Sequence, residues 1–173
     1  MADVVSYSRD GDIAVVTINT PPVNALSHAV RQGIQDGVRQ FMADADAKAL
    51  VLHCDGRTFL AGADISDFGK PPKEPGLSAL CTEIEDCDKP VVAALHGTPL
   101  GGGLEVALGA HYRVAQKRTR VGLPEVLLGI LPGAGGTQRL PRVAGAENAL
   151  EMITTGRHVP AEEALAKGII DAI

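Results

Sequence analysis

Tryptophan is absent, and three Phe and two Tyr are the only aromatic residues among 173. A core without large rings must be filled by Ala, Val, Leu and Ile, and the 20 glycines allow close backbone approaches around it. Cysteine is scarce. Cys54, Cys81 and Cys87 form no CxxC pair, which excludes a disulfide framework or a thiolate zinc site and fits reduced, unreactive thiols. Basic charge is in deficit, 16 Lys+Arg against 21 Asp+Glu, so no basic face is available to coat a nucleic acid. Long apolar runs are missing too. The best, 126–131, falls well short of the about 18 residues that cross a membrane, so no membrane partner is expected. The opening MADVVSYSRDGD has no basic segment followed by a long apolar stretch and does not read as a secretory signal. With 45% hydrophobic residues and a net charge of -5, the chain can offset its ordering entropy, which excludes intrinsic disorder. No linker, repeat or low-complexity stretch interrupts it, so one domain over 1–173 is expected.

The pattern along the chain alternates strand and helix. Residues 4–9 and 13–19, joined by a turn at Asp10-Gly11, read as a β-hairpin. Ser27 is a plausible cap for a helix over 28–43, whose Val30, Ile34, Val38 and Phe41 recur on one face. Short apolar strands follow at 49–53, 90–95 and 112–115, with helices near 77–87 and 104–109 between them. Further helices are expected over 133–142, 146–155 and 161–167. Such alternation implies βαβ units around a largely parallel sheet. The last residues, 168–173, are apolar and lack a polar closing helix, so the chain is expected to be cut short at its C-terminus.

Two loops carry chemistry. In Gly56-Arg57-Thr58-Phe59-Leu60-Ala61-Gly62-Ala63-Asp64-Ile65, small residues lead from a strand into an acidic turn. Gly101-Gly102-Gly103-Leu104-Glu105 follows a buried strand and opens a helix, where N–H groups lack intrahelical partners and face any developing negative charge. Those glycines serve either a ligand or tight helix–strand packing. Glu105 and Glu125 each sit amid apolar neighbours, where an unpaired carboxylate would cost several kcal/mol to bury. Two carboxyls in one dry pocket raise the pKa of one, so that one can give a proton while the other takes one.

Ala61-Gly62-Ala63-Asp64-Ile65, Lys89-Pro90-Val91-Val92-Ala93-Ala94, Gly101-Gly102-Gly103-Leu104-Glu105-Val106-Ala107-Leu108, Gly122-Leu123-Pro124-Glu125 and 131–140 together resemble the crotonase (enoyl-CoA hydratase/isomerase) family. Within that family they resemble the N-terminal hydratase/isomerase region of multifunctional fatty-acid β-oxidation enzymes. The resemblance spans nearly the whole chain in order. It implies an α/β fold, a crotonase (ClpP/crotonase-like) spiral core of ββα units, here without the family's C-terminal helices. It implies an acyl-CoA substrate, with Ala63 and Gly102 N–H groups as the oxyanion hole and Glu105 and Glu125 as catalytic acids. Arg57, Ala61, Ala63, Asp64, Ile65, Ser66 and Gly102 would contact the CoA thioester. Many hydratases carry Lys where this chain has Ser66, which implies one phosphate contact fewer. No metal or redox cofactor is implied, since CoA belongs to the substrate. The implied activity is 2-enoyl-CoA hydration, with Δ3-Δ2-enoyl-CoA isomerisation as the alternative. Relatives form trimers or are fused to a dehydrogenase region, and the implied compartment is cytoplasmic, or peroxisomal in a eukaryote.

Other chemistries find little support. His53, His96 and His111 are scattered and no Gly-x-Ser-x-Gly elbow accompanies them. The run 133–138 imitates a dinucleotide fingerprint, but no strand closely precedes it. Lys117-Arg118-Thr119-Arg120 reads as a solvated turn. A non-catalytic CoA-binding module remains the rival from another class, and two costly buried acids speak against it.

Overall fold

A computed structural model describes residues 4–64, 71 and 73–173. Strands β1 (Val5–Asp10) and β2 (Ile13–Ile18) pair antiparallel with Asp10 opposite Ile13. The turn is therefore Gly11-Asp12, one residue later than expected, and Gly11 takes the positive φ of +60° that such a turn requires. Ala14, Val16 and Ile18 are fully buried while their neighbours are half exposed, as a period-two strand with one face inward demands.

Helix α1 (His28–Ala43) starts at Ser27, whose Oγ accepts from the Val30 N–H at 3.4 Å. Its buried stripe is Val30, Ile34, Val38 and Phe41. Lys89 closes the other end: Nζ donates to the Phe41 and Asp44 carbonyls at 3.0 and 2.7 Å and lies 4.9 Å from the Phe41 ring centre. Strand β3 (Ala49–Cys54), helix α2 (Leu77–Glu85), strand β4 (Val91–Leu95), helix α3 (Gly102–Gly109) and strand β5 (Tyr112–Ala115) follow. The sheet runs β1-β2-β3-β4-β5 in order, parallel from β2 onward. Arg113, buried, donates to the carbonyls of Ile169 and Ala110 and pairs with Asp171 at 2.9 Å, which fastens residues 169–172 along β5.

The elements after β5 form a separate small sheet with helices around it. Strand β6 (Arg120–Val121) pairs with β7 (Val159–Pro160), and between them come a 3-10 turn (Pro124–Leu128) and helices α4 (Gly136–Ala144) and α5 (Ala146–Thr155). Helix α6 (Ala161–Ala166) follows β7. Helix α4 begins three residues later than its sequence pattern suggests, because Gly135 adopts φ +99° and keeps 133–135 in a loop. Gly145 closes α4 and opens α5 at once, and Gly156, which ends α5, abuts Pro124, Val126 and Leu127. No described helix is long and apolar enough to cross a membrane.

The glycine triplet answers to two demands rather than one. A Cβ on Gly103 would run into the carbonyl of Leu60, so this position serves packing. Replacing it with Ala should cost about 3 kcal/mol or more, since backbone cannot yield as a side chain can. Gly133→Ala meets nothing within 4 Å and should stay within about 0.5 kcal/mol of the parent. Urea midpoints of the two variants check this contrast.

Candidate active site

Beyond β4 the chain folds back on a later segment. The Gly101 N–H donates to the Gly122 carbonyl at 2.9 Å, and the Gly122 N–H donates to the Pro99 carbonyl at 3.3 Å. This pairing lays the start of α3 beside the 3-10 turn, so Glu105 from one and Glu125 from the other line a single cavity of about 560 Å³. Ala61, Ala63 and Gly102 line it as well, with Leu77, Leu100 and Leu131 among the apolar residues of its wall.

Glu105 is 2% exposed. Its Oε1 accepts from the N–H groups of Ala134 and Gly136, both at 2.8 Å, while Oε2 makes no hydrogen bond to a described residue. Glu125 is also buried, and its Oε2 has no partner among the described residues. Burial pushes the Glu125 carboxyl above the ordinary carboxylate range; a hydrogen bond from its own backbone N–H opposes this and the charge on Glu105 adds to it. Gly101 leaves room for that carboxyl: its φ is +52°, and a Cβ there would sit 3.0 Å from Glu125 Oε1.

The opposite side is backbone. Leu26 pairs with Ala63, and the Leu26 N–H donates to the Gly62 carbonyl at 2.9 Å, which fixes the loop after β3. A Cβ on Gly102 would lie 3.6 Å from the Ala63 nitrogen, so the two peptide groups are close neighbours. Neither the Ala63 nor the Gly102 N–H is bonded to a described residue. Two carboxyls that differ in hydrogen bonding therefore line the same cavity as two residues whose amides have no partner among the described residues. Such a cavity can stabilise negative charge on a bound carbonyl oxygen and move protons beside it.

The structure brings Ala61, Ala63, Gly102, Glu105 and Glu125 together. Asp64 and the exposed Arg57 stand outside the cavity lining, and Ile65 and Ser66 lie outside the described residues. The amides of Ala134 and Gly136 escaped the sequence reading; their one signal is the glycine-rich run 133–136. A larger cleft of about 970 Å³ between α1 and α2 is lined by Met42 and Thr82, with the Arg39–Glu83 ion pair on it, and holds neither carboxyl of the pair. Burial pushes the Cys54 and Cys81 thiols up to about 12 and Cys87 to about 11, which disfavours the reactive thiolate. His111 Nδ1 accepts from the Val91 N–H at 3.0 Å, and His96 stacks on His53 with ring centres 6.1 Å apart, both roles outside the cavity.

A family profile described as Enoyl-CoA hydratase/isomerase matches residues 8–173. The chain belongs to that family. A peroxisomal bifunctional enzyme of Danio rerio is 52% identical over 161 residues, covering 93% of this chain and 22% of the relative. A probable enoyl-CoA hydratase of Bacillus subtilis is 42% identical over 175 residues, covering 97% of this chain and 68% of that protein. The crystal structure of an enoyl-CoA hydratase from Bacillus anthracis superposes with a TM-score of 0.91 at 32% identity, over 98% of this chain and 69% of that one. The fold is thus the crotonase fold of the enoyl-CoA hydratase/isomerase family. The chain spans less than a quarter of the length of the Danio rerio bifunctional relative.

The raised Glu125 carboxyl has a consequence for stability. A group whose folded pKa exceeds its unfolded one stabilises the fold only at low pH, and that contribution is lost as pH rises through the folded value. Glu125→Gln, which mimics the neutral acid, should therefore raise the urea midpoint at neutral pH. The gain should vanish below the ordinary carboxylate range, and urea titrations at both pH values test the sign.

Proposed function

We propose that this chain is a lyase that adds water across the C2=C3 double bond of a 2-enoyl-CoA thioester. The observation that carries the reading is the pair of buried carboxyls lining one cavity with two adjacent peptide groups, those of Ala63 and Gly102, whose N–H groups have no partner among the described residues. In this reading the N–H groups of Ala63 and Gly102 grip the thioester oxygen as it becomes enolate-like. One such donor is typically worth about 3 kcal/mol of barrier. Glu105, bonded through Oε1, helps activate the water that attacks C3. Glu125, biased by burial toward its protonated form, delivers the proton to C2.

The oxygen of water bonds to C3 as one of its O–H bonds breaks and Glu105 takes that proton, while the C2=C3 electron pair moves toward the thioester. The enolate then collapses, with C2 taking up the proton. Ala61, Asp64, Ile65, Ser66 and Arg57 are proposed to hold the CoA portion, Arg57 as an exposed cation suited to phosphate. The reaction calls for no metal or redox cofactor, because the enolate charge is met by amides and the protons by carboxyls.

The resemblance to multifunctional β-oxidation enzymes supports placing this chemistry in fatty-acid β-oxidation, and the peroxisomal bifunctional relative supports a peroxisome, if the source is eukaryotic, and a second activity on a longer chain. Δ3-Δ2 isomerisation is the second reading. It needs proton movement only between C2 and C4, for which one carboxyl suffices, whereas Glu105 is here held as firmly as Glu125 is buried.

Hydration of crotonyl-CoA, followed by loss of the conjugated enoyl absorbance, tests the proposal. Glu105→Gln and Glu125→Gln should each lower kcat by roughly 10²–10⁴-fold while acyl-CoA affinity changes little. A parent that binds but neither hydrates nor isomerises is a binding module. A parent that converts 3-enoyl-CoA to 2-enoyl-CoA without forming 3-hydroxyacyl-CoA is an isomerase.

A further inference from the structure

The two amides that hold Glu105 belong to a loop with little stiffness of its own. Its sequence is Gly133-Ala134-Gly135-Gly136, and glycine imposes few backbone limits. Something outside the loop must fix the direction of those N–H bonds. Arg139, from the first turns of α4 and 7% exposed, stands where it can do so.

Its Nη1 donates to the Ala134 carbonyl at 2.9 Å. That carbonyl belongs to the peptide lying between the two that donate to Glu105. On its other side the guanidinium is anchored to α2: Nε and Nη2 donate to Glu85 Oε2 at 2.9 and 2.6 Å, and Nη2 also reaches Thr82 Oγ1 at 3.2 Å. The second oxygen of Glu85 lies 3.9 Å from Arg142. Gly135 has no Cβ where one would collide with Arg139 Nη1, so the loop closes tightly over the guanidinium. A planar fork with fixed donor directions suits this triple contact, and a lysine ammonium on a flexible stem does not.

We propose that Arg139 is a positioning residue. Through the Ala134 carbonyl it locks the loop 133–136 so that the Ala134 and Gly136 amides keep the Glu105 carboxylate aimed into the cavity. This rests on the functional reading above only for its kinetic arm. The mechanical claim concerns the amides themselves.

The test compares the parent with Arg139→Lys and Arg139→Gln in two measurements. With crotonyl-CoA, both variants should lose between about 10- and 100-fold in kcat with KM within about twofold, since misplacing a reacting group slows chemistry more than binding. By NMR, hydrogen exchange at the Ala134 and Gly136 amides should accelerate by about tenfold or more, with amides of β3 and β4 unchanged. Arg139→Lys keeps the charge but not the fork, so it should resemble Arg139→Gln; parent-like kcat and exchange in Arg139→Lys would overturn the proposal. Should the buried substitutions prevent folding, Glu85→Ala removes the anchor from the exposed side of α2. It should move both readouts the same way by a smaller factor, and unchanged exchange there overturns the proposal too. If the parent itself does not hydrate the substrate, the functional reading fails and the exchange measurement still decides on Arg139.

Discussion

One carboxylate oxygen joins the parts from which this cavity is made. Glu105 Oε1 takes two N–H groups from a loop 29 and 31 residues further on, tying the first turn of α3 to the entry of α4. A buried charge left bare would cost several kcal/mol, and charge-assisted bonds from backbone amides are among the stronger ways to offset that cost. Glu125, three residues past the Gly122 that pairs with Pro99 and Gly101, receives no such help on Oε2 from the described residues. The two acids are chemically alike and made different by what the backbone offers each. The proposed hydration would use that asymmetry, with Glu105 taking a proton from water and Glu125 giving one to C2.

The three consecutive glycines show why a composition signal must be resolved residue by residue. Gly101 takes a positive φ beneath the Glu125 carboxyl, Gly102 lies against Leu77, Leu26 and the Ala63 amide, and Gly103 accommodates the Leu60 carbonyl. Room for the Glu125 carboxyl and tight packing are both at work, on adjacent residues. The helix that begins at Gly102 is buried along its whole length, so the triplet joins the cavity wall to the core.

Much of the frame was legible in the sequence because it is periodic. The hairpin, α1 with its Ser27 cap and the apolar strands β3 to β5 follow patterns of two or 3.6 residues that local physics enforces. The β6–β7 pair and the 3-10 turn were not legible, since two-residue strands have no period to read. Glu105 and Glu125 stood out as acids in apolar surroundings, and the pairing of Gly101 with Gly122 explains their meeting. The donors on Ala134 and Gly136 are main chain and leave no side-chain signature. Lys89 illustrates the converse: its place in a recognisable motif is plain, while its grip on the Phe41 and Asp44 carbonyls appears only in three dimensions.

Gly145 belongs to two helices at once, ending α4 and beginning α5 with no connecting residue to spare. The rotational phase of α5 is thereby set by chain count. One inserted residue would turn everything beyond it by about 100°, carrying Ala149 and Met152 off their inward face. Because Gly156 rests on Pro124, that slip would reach the residue adjoining Glu125. An alteration of length far from the cavity would thus be felt in it as an alteration of angle.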